Sequence, residues 1–466
     1  MSHSCVLIPP AACDATATSL AAPLLPTACR AGGKECSGAE PASAEGGGAH
    51  GEKRGLKRSL NVVDGVCMVL GVVVGSGIFA TPGVVLIDSG GAPISALIVW
   101  LCAGVVAYSC CEVYAELGSS IPHAGGDGEY IQLAFGDLLS FVFMWMFFFV
   151  STGGGIAILI VTFARYTIAL LPGMQGASEE QMEMGVRIIG CSFTLLLTAI
   201  NCAGVKAGAL VQNILTVTKA LLIAAVVACA PIFIYLHGTS VAATNFSQPL
   251  PPLSGYNWSR AGAGLVAAVW AFDGWNCLGY LSEELKNPKK DLPRSLSIGM
   301  LTAVGICLAV NSAYFCILPL AAVGKSEVVA VEAVEAVFGP HSGRFIAFLV
   351  ALNVLGAANA TLLCHARFFY AKARDGQLFS FLSAVTTGGA PYASLLATGG
   401  WIAVVVFVAA NHLEKLIDYF GIAAWMFYGL VGASLIKLRW DLPDLPRPYK
   451  ASLYPLPGVI VVVVST

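Results

Sequence analysis

The sequence predicts an all-α integral membrane protein that crosses the bilayer at least ten times, and three observations carry this prediction. Hydrophobic residues make up 57% of the 466 residues. Asp, Glu, Lys and Arg together make up only 11%, whereas a soluble domain carries about a quarter. Apolar runs recur at the length of about 20 residues that a spanning helix needs. So few charges cannot cover a water-exposed surface, and a soluble globular domain is therefore excluded.

Ten complete apolar segments follow a polar N-terminal stretch, and an eleventh begins near Pro457. Their predicted limits are 62–86, 92–117, 137–170, 184–203, 209–236, 260–283, 295–319, 343–369, 392–410 and 414–436. Residues 1–55 are rich in Ala, Gly, Ser and Pro and are expected to form a disordered tail. Residues 56–455 are expected to form a ten-helix core. Residues 456–466 are expected to start an eleventh transmembrane helix inside which the sequence stops.

The loop charges predict a cytoplasmic N-terminus. With that orientation, sixteen Lys and Arg residues lie at the cytoplasmic face and six at the opposite face, as the positive-inside rule requires. The triplets that begin at Asn245 and Asn257 match the glycosylation acceptor pattern and fall in one predicted outer loop. Both are therefore candidate glycosylation sites, and the protein is expected in the plasma membrane or an endomembrane.

Several function classes find no support in the sequence. A formal net charge of −2 leaves no basic surface for nucleic acid. The 15 cysteines form no CxxC pair and no Cys/His metal spacing, so neither a metal nor a cofactor is expected. HExxH and GxSxG motifs are absent from the sequence, and we do not expect an enzyme.

Two spanning segments carry helix-breaking residues at matching places. Segment one contains Gly71 and the triplet Gly75, Ser76 and Gly77, and segment six, five segments later, contains Asp273 followed by glycine. Such interruptions in two five-helix halves point to an inverted-repeat transporter with its site at the bilayer midplane. A broken helix leaves free N–H and C=O groups, which the carboxylate and ammonium of an amino acid could satisfy. The alternative is that these glycines only allow close helix packing.

Five motifs, in order along the chain, resemble those of one family. They are Val-Gly-Ser-Gly-Ile-Phe79, Val205-Lys-Ala-Gly-Ala-Leu-Val-Gln-Asn213 with Lys219, Ala-Phe-Asp-Gly-Trp-Asn276 with Ser-Glu-Glu-Leu-Lys-Asn-Pro288, Ala366-Arg-Phe-Phe-Tyr370, and Arg447-Pro-Tyr-Lys450. Together they resemble the L-type amino acid transporters, the light chains of heteromeric exchangers in the amino acid-polyamine-organocation (APC) superfamily. The resemblance implies a LeuT-like fold, a 5+5 inverted repeat with helices 1 and 6 broken. It also implies sodium-independent exchange of larger neutral L-amino acids by alternating access.

The resemblance also assigns roles to individual residues. Gly75, Ser76 and Gly77 would bind the substrate carboxylate. The carbonyls of Val73, Trp270 and Asp273 would bind the substrate ammonium, and the ring of Trp270 would be the aromatic gate. Asn276 would support the break in the sixth segment, and Trp425 would lie beside the pocket for the substrate side chain. Lys219 would take the place of a sodium ion. The alternative for Lys219 is a side chain that snorkels to the cytoplasmic interface.

Three positions depart from the family pattern. The loop from Pro172 to Ser178 lacks the cysteine that commonly joins a glycoprotein partner, so a covalent heavy chain is not expected, whereas a noncovalent partner is possible. Asp273 stands where glycine is common, and it could pair with a cationic substrate, couple protons or pair with a neighbour. His365 stands where hydroxyl residues are common, and it could be a proton-sensitive gate or an ordinary interior histidine.

Two rival functions stay open. Asp273 suggests a cationic amino acid or polyamine carrier. A membrane sensor that binds an amino acid without transporting it would need the same site, so the sequence does not separate it from a carrier.

Overall fold

The protein is described from a computed structural model, which covers residue 58 and residues 60–172, 178–252, 254, 256–326, 328–386, 389–410 and 412–466. The predicted tail, residues 1–55, lies outside these described residues. Within them the regular structure is helical, and the only β-type pairing is a single bridge between Leu60 and Leu285. Nine helices of the described part are long and apolar enough to cross a membrane. The prediction of an all-α, multi-pass membrane protein is confirmed.

The helices follow the predicted segments closely. In chain order they are α1 Val62–Val73, α2 Gly77–Ala80, α3 Pro82–Asp88, α4 Pro93–Ser120, α5 Gly126–Phe135, α6 Asp137–Met146, α7 Gly153–Leu170, α8 Glu179–Ala203, α9 Val205–His237, α10 Ser240–Asn245, α11 Trp258–Trp270, α12 Pro288–Ile317, α13 Leu320–Lys325, α14 Val329–Phe338, α15 His341–Arg374, α16 Tyr392–Ala409, α17 Leu413–Asp441 and α18 Leu456–Ser465. Two 3-10 helices, Trp275–Glu284 and Ser380–Ser383, and a π-helical turn, Phe147–Thr152, complete the list.

The first segment is interrupted as predicted. Helix α1 starts from a capping box, in which the side chain of Asn61 accepts from the amide of Asp64 and the Asp64 carboxylate accepts from the amide of Asn61. The helix ends at Val73, and the short helix α2 begins only at Gly77. We refer to residues 74–76 as the first break.

The sixth segment is divided in the same way, as a break in helix 6 predicts, so it is not among the nine long apolar helices of the described part. Helix α11 ends at Trp270, and a 3-10 helix starts at Trp275, so residues 260–283 form two short pieces and not one continuous helix. Gly274 between them has φ of 117°, a left-handed conformation that costs little only for glycine. We refer to residues 271–274 as the second break.

Two groups of long helices pack together. One group contains α1, α4 and α12, with α11 against α4, and the other contains α7, α8, α15 and α16. Helix α15 also contacts α1 and the 3-10 helix Trp275–Glu284, so it joins the two groups. Both breaks therefore lie where the groups meet.

The third segment contains a feature that the sequence did not predict. Its helix widens into a π-helical turn over Phe147–Thr152. The carbonyl of Phe149 inside this turn accepts a hydrogen bond from the indole nitrogen of Trp401, at 3.1 Å. A neighbouring helix thus supplies a donor to the altered backbone, as irregular backbone in a membrane requires.

Candidate functional site

The two breaks line one central cavity. Seven of the predicted substrate-binding residues face it, namely Val73, Gly75, Ser76, Gly77, Trp270, Asp273 and Asn276. Further walls come from the third segment, from α15 and from α17. The structure thus brings together residues that lie about 200 positions apart in the sequence.

At the first break the backbone turns tightly. The amide of Gly75 donates to the carbonyl of Val73 at 2.8 Å, and the carbonyl of Gly75 accepts from the side-chain amide of Asn353 at 2.9 Å. Among the described residues, no backbone hydrogen bond uses the amides of Ser76 and Gly77. These two N–H groups are therefore available to an anionic group in the cavity.

The two breaks touch each other at Gly77. A Cβ atom at this glycine would lie 2.5 Å from the Cα of Ala271 and 2.7 Å from its Cβ. The family resemblance gave Gly77 a role in binding the substrate carboxylate. The structure adds a second reason for glycine here, because any side chain would collide with the sixth segment.

At the second break the carboxylate of Asp273 organises the backbone. Its Oδ1 atom accepts from the amide of Gly274 at 2.9 Å and from the hydroxyl of Tyr428 at 2.7 Å. The amide of Asp273 donates to the carbonyl of Trp270 at 3.1 Å. Asp273 thus pairs with a polar neighbour, the third of the roles considered for it, while it still faces the cavity.

A second buried carboxylate faces the cavity, and it was not among the predicted site residues. Asp127, in the first turn of α5, is 2% exposed. Its Oδ2 atom accepts from the hydroxyl of Tyr280 at 3.0 Å, and that hydroxyl accepts from the side-chain amide of Asn276 at 3.1 Å. The predicted support role of Asn276 therefore extends through Tyr280 to Asp127. The one signal in the sequence that could have pointed to Asp127 is that it is an acidic residue in a predicted loop that contains neither Lys nor Arg.

Lys219 lies next to the first break and does not reach toward an interface. Its side chain is 3% exposed, and its ammonium donates to the carbonyl of Gly71 at 2.7 Å and to that of Leu70 at 3.5 Å. Both carbonyls belong to the last turn of α1, where partial negative charge accumulates. The snorkelling alternative is therefore wrong for this conformation.

One predicted pocket residue faces elsewhere. Trp425 does not line the cavity among the described residues, whereas its neighbours Ala424, Phe427 and Tyr428 do. The Trp425 ring packs against the rings of Trp275 and Tyr428 instead, with centroids 6.4 and 5.6 Å away. Successive residues on a helix point about 100° apart, so an error of one residue in the predicted register is enough to place Trp425 on the wrong face.

His365 lies in the cavity wall and is 6% exposed. Its Nδ1 atom is 2.9 Å from the hydroxyl of Thr152, in the π-helical turn. The ring of Phe147 packs against the imidazole, with centroids 4.6 Å apart. This partnered environment is that of an ordinary interior histidine.

Charged side chains form a cluster at one end of the cavity, where the 3-10 helix, α5 and the end of α15 meet. Arg367 pairs with Glu284, and the ammonium of Lys372 is 2.5 Å from the carboxylate of Glu129. The other pair in this set joins Arg374 to Glu283 at 2.7 Å. We refer to these three pairs, together with His123 and Asp375, as the ion-pair cluster.

Within the ion-pair cluster, ligand atoms of His123, Glu129 and Asp375 lie within 4.8 Å of one another, a spacing that a metal ion could accept. Basic side chains already neutralise two of these carboxylates, because Lys372 contacts Glu129 and Arg374 contacts Asp375. The donor set is therefore explained without a metal.

The structure separates the two predicted glycosylation sites. Asn245 is 6% exposed, and its amide nitrogen donates to the carbonyls of Phe315 and Leu318 at 2.7 and 2.8 Å. A glycan on that nitrogen would break both bonds, so the prediction for Asn245 is inconsistent with this structure. Asn257 is exposed, and its side-chain oxygen, not its nitrogen, caps α11 by accepting from the amide of Arg260.

Comparison with known proteins supplies the family. Residues 60–466 match the model of the family described as amino acid permease. The chain belongs to the amino acid permease family, within the APC superfamily. This permease is 33% identical over 432 residues to the large neutral amino acids transporter small subunit 2 of Rattus norvegicus, across 90% of the chain and 76% of that protein. It is 30% identical over 413 residues to the b(0,+)-type amino acid transporter 1 of Mus musculus, across 88% of the chain and 81% of that protein.

Family and relatives are transporters, so the permease is a membrane transporter of the amino acid class and not an enzyme. The resemblance deduced from the sequence motifs is confirmed.

Proposed function

We propose that this permease is a sodium-independent exchanger of larger neutral L-amino acids that works by alternating access. The observation that carries the proposal is the single cavity lined by both breaks, with the amides of Ser76 and Gly77 free of backbone partners. An amino acid zwitterion matches this arrangement, since its carboxylate accepts from N–H groups and its ammonium donates to carbonyls.

In this proposal each predicted residue has a defined task. The amides of Ser76 and Gly77 bind the carboxylate at the turn that Gly75 forms, and the carbonyls of Val73, Trp270 and Asp273 receive the ammonium. The ring of Trp270, in the cavity wall, closes over the substrate, and Asn276 supports the second break through Tyr280. Because the aliphatic and aromatic walls dominate the rest of the cavity, a large apolar side chain fits it best.

We also propose the LeuT-like arrangement of two inverted five-helix halves. Its support is the position of the breaks in the first and sixth segments and the packing of the helices into two groups. Rocking of one group against the other would then expose the cavity to each side of the membrane in turn. The ion-pair cluster would close the cytoplasmic side, and its pairs would separate when that side opens.

The sodium independence that we propose rests on Lys219. Its buried amino group binds two carbonyls of α1. When protonated, it would place a positive charge beside the first break. A sodium ion at the same place would meet the same carbonyls and be repelled by that charge. The lysine would thus hold the first segment in a substrate-ready form without a transported cation.

Partner and location are part of the same proposal. We propose a plasma-membrane or endomembrane protein with a cytoplasmic N-terminus, on the charge count given above. The relative from Rattus norvegicus is named a small subunit, which supports association with a second subunit. The predicted outer loops carry no cysteine, so the association would be noncovalent.

A second candidate function, transport of cationic amino acids or polyamines, is favoured by the Asp273 carboxylate in the cavity wall. A sensor without turnover is the third.

Uptake of radiolabelled leucine into proteoliposomes tests these candidates. The purified full chain is assayed in sodium-free buffer, with and without unlabelled leucine inside, and with arginine as competitor. Uptake that requires internal leucine supports the exchanger. Leucine binding without flux supports a sensor. If leucine is not transported but arginine displaces bound leucine, a cationic carrier is supported.

A further inference from the structure

Four basic side chains near the start of α12 have no partner within the described part of the protein. Lys286 lies just before the helix, and Lys289 and Lys290 lie in its first turn. Arg294 lies in the second turn. All four are exposed, and their side chains form no hydrogen bond or ion pair with the described residues. We refer to them as the basic patch. Like charges that the fold leaves uncompensated attract a partner of opposite charge.

The acidic residues nearest to the basic patch in sequence do not neutralise it. Asp291 is buried, and its carboxylate accepts from the amide of Asn287 at 2.9 Å. Glu283 and Glu284 pair with arginines of α15 in the ion-pair cluster. The basic patch therefore keeps its positive charge, whereas the ion-pair cluster that precedes it in the chain is internally paired.

The exposed face of α12 changes from basic to apolar within one turn. Lys290 and Arg294 are followed, at helical spacing, by Ile298 and Leu301, which are 49% and 58% exposed. Positions three or four apart lie on the same face of a helix, and one turn rises about 5.4 Å. Ile298 and Leu301 belong to the predicted span 295–319, where an exposed apolar side chain faces lipid chains. The two basic side chains one turn earlier therefore lie at the level of the lipid headgroups.

This order of charge and apolar surface matches one kind of partner. An anionic phospholipid carries its phosphate directly above its acyl chains, just as the basic patch lies above Ile298 and Leu301. A soluble anion would match the charges and leave the apolar row unexplained. Basic residues next to a membrane span attract anionic lipids, and each contributes about fivefold in binding.

A backbone bridge connects the basic patch to both broken segments. The amide of Lys286 donates to the carbonyl of Leu60, and the amide of Leu60 donates to the carbonyl of Glu284, both at 2.9 Å. Leu60 lies two residues before α1, and Glu284 ends the 3-10 helix that follows the second break. The bridge also brings Arg58, another exposed base, close to the patch. A ligand held by Lys286 therefore restrains the start of one broken segment and the end of the other.

We propose that the basic patch is a binding site for the headgroup of an anionic phospholipid, and that the bound lipid anchors the bridge between the two broken segments. Lys290 and Arg294 make the main contact, because they continue the row of lipid-facing residues. Lys286 transmits the contact to the bridge. The site goes beyond the proposed function, since it does not depend on which substrate occupies the cavity.

The first test measures binding. A fluorescent phosphatidylserine is titrated into the purified full chain in detergent. The double variant Lys290→Gln with Arg294→Gln should weaken binding at least about tenfold, because two charges at about fivefold each are lost. The matched control is Lys325→Gln with Arg344→Gln, two exposed bases that the charge count places at the opposite face. It loses the same net charge and should change the affinity less than about twofold.

The second test measures the anchor by hydrogen exchange. The full chain is placed in nanodiscs of phosphatidylcholine, with or without about one-fifth phosphatidylserine. The bridging amides of Leu60 and Lys286 should exchange at least about fivefold more slowly when phosphatidylserine is present. The double variant at Lys290 and Arg294 should lose this protection, although both bridging residues are unchanged.

Each outcome decides for or against the lipid site. Equal affinity of the wild type and the patch variant overturns it, and so does an equal loss in the control variant, because net charge alone would then explain binding. Displacement of the lipid by an equal concentration of inorganic phosphate overturns the lipid as the occupant. If the double variant does not fold, unchanged affinity in both single variants, Lys289→Gln and Lys290→Gln, is sufficient to overturn the site. Neither test uses leucine transport, so failure of the proposed exchanger would be seen separately.

Discussion

The ammonium of Lys219 lies 2.7 Å from the carbonyl oxygen of Gly71, in the last turn of α1 before the first break. The helix end would otherwise present free carbonyls inside the membrane, where each unsatisfied group is costly. The same contact places the amino group of Lys219 beside the proposed substrate site. It therefore joins the stability of the break to the function of the cavity.

Replacing Lys219 should impair transport more than folding. We expect Lys219→Ala to reduce leucine uptake at least tenfold, because a charged hydrogen bond of about 1.5–3 kcal/mol to α1 is lost. Membrane insertion should persist, since the apolar length of α9 is unchanged. Uptake normalised to protein in the proteoliposome checks this, and the exposed Lys325→Ala serves as control. Full transport by Lys219→Ala would contradict the role as a cation substitute.

A large side chain at Ser76 should block substrate binding at the free amides of the first break. Ser76 is 6% exposed and lines the cavity, so Ser76→Leu fills the volume proposed for the substrate carboxylate. We expect leucine binding to disappear. Ser76→Ala keeps the backbone amide and should lose much less. Scintillation proximity binding on the purified variants distinguishes them, and normal binding by Ser76→Leu would exclude this location for the carboxylate.

The ion-pair cluster should contribute unequally to stability. Lys372 is fully buried against Glu129, so Glu129→Gln leaves a charge without a partner, at a cost of about 3–5 kcal/mol. The Arg374 side chain is 29% exposed, and Arg374→Ala should cost about 1 kcal/mol or less. Thermal unfolding of the purified variants measures both. The double variant Glu129→Gln with Lys372→Met should regain most of the loss, and failure to regain it would mean that packing dominates.

The two sequons should respond differently in a glycosylating host. We expect Asn257→Gln to remove any glycan that an endoglycosidase shift detects, because Asn257 is exposed. Asn245→Gln should leave the glycan unchanged and lower stability by about 1–3 kcal/mol, since two carbonyls lose their donor. A glycan that depends on Asn245 would contradict its buried position, and a glycan-free Asn257 would argue against the proposed orientation.

Much of the helical layout was predictable from apolar length alone. The predicted segment 392–410 corresponds to α16 at Tyr392–Ala409, and the predicted 92–117 corresponds to α4 at Pro93–Ser120. The second break was also predictable, because a carboxylate next to a glycine is rare inside a membrane span. What composition could not show is where the two pieces of the sixth segment end and begin, with α11 ending at Trp270 and a 3-10 helix starting at Trp275.

The sequence did not predict the roles of residues that depend on tertiary contacts. Asp127 looks like a loop residue until Tyr280, on another segment, is seen to bind it. Tyr428 and Trp425 differ by less than one helical turn, and only packing decides which faces the cavity. Asn245 matches an acceptor triplet, yet carbonyls of α12 and its end bind its nitrogen. Each of these depends on a contact between distant parts of the chain.

The contact at Gly77 has a mechanical consequence. Where helices meet through side chains, rotamer changes can absorb a small displacement, but here the backbone of one break rests directly on Ala271 of the other. We therefore expect the two interrupted segments to move together. In the proposed alternating-access cycle, a tilt of either half would be transmitted to the other through this backbone contact, and both breaks would release the substrate together.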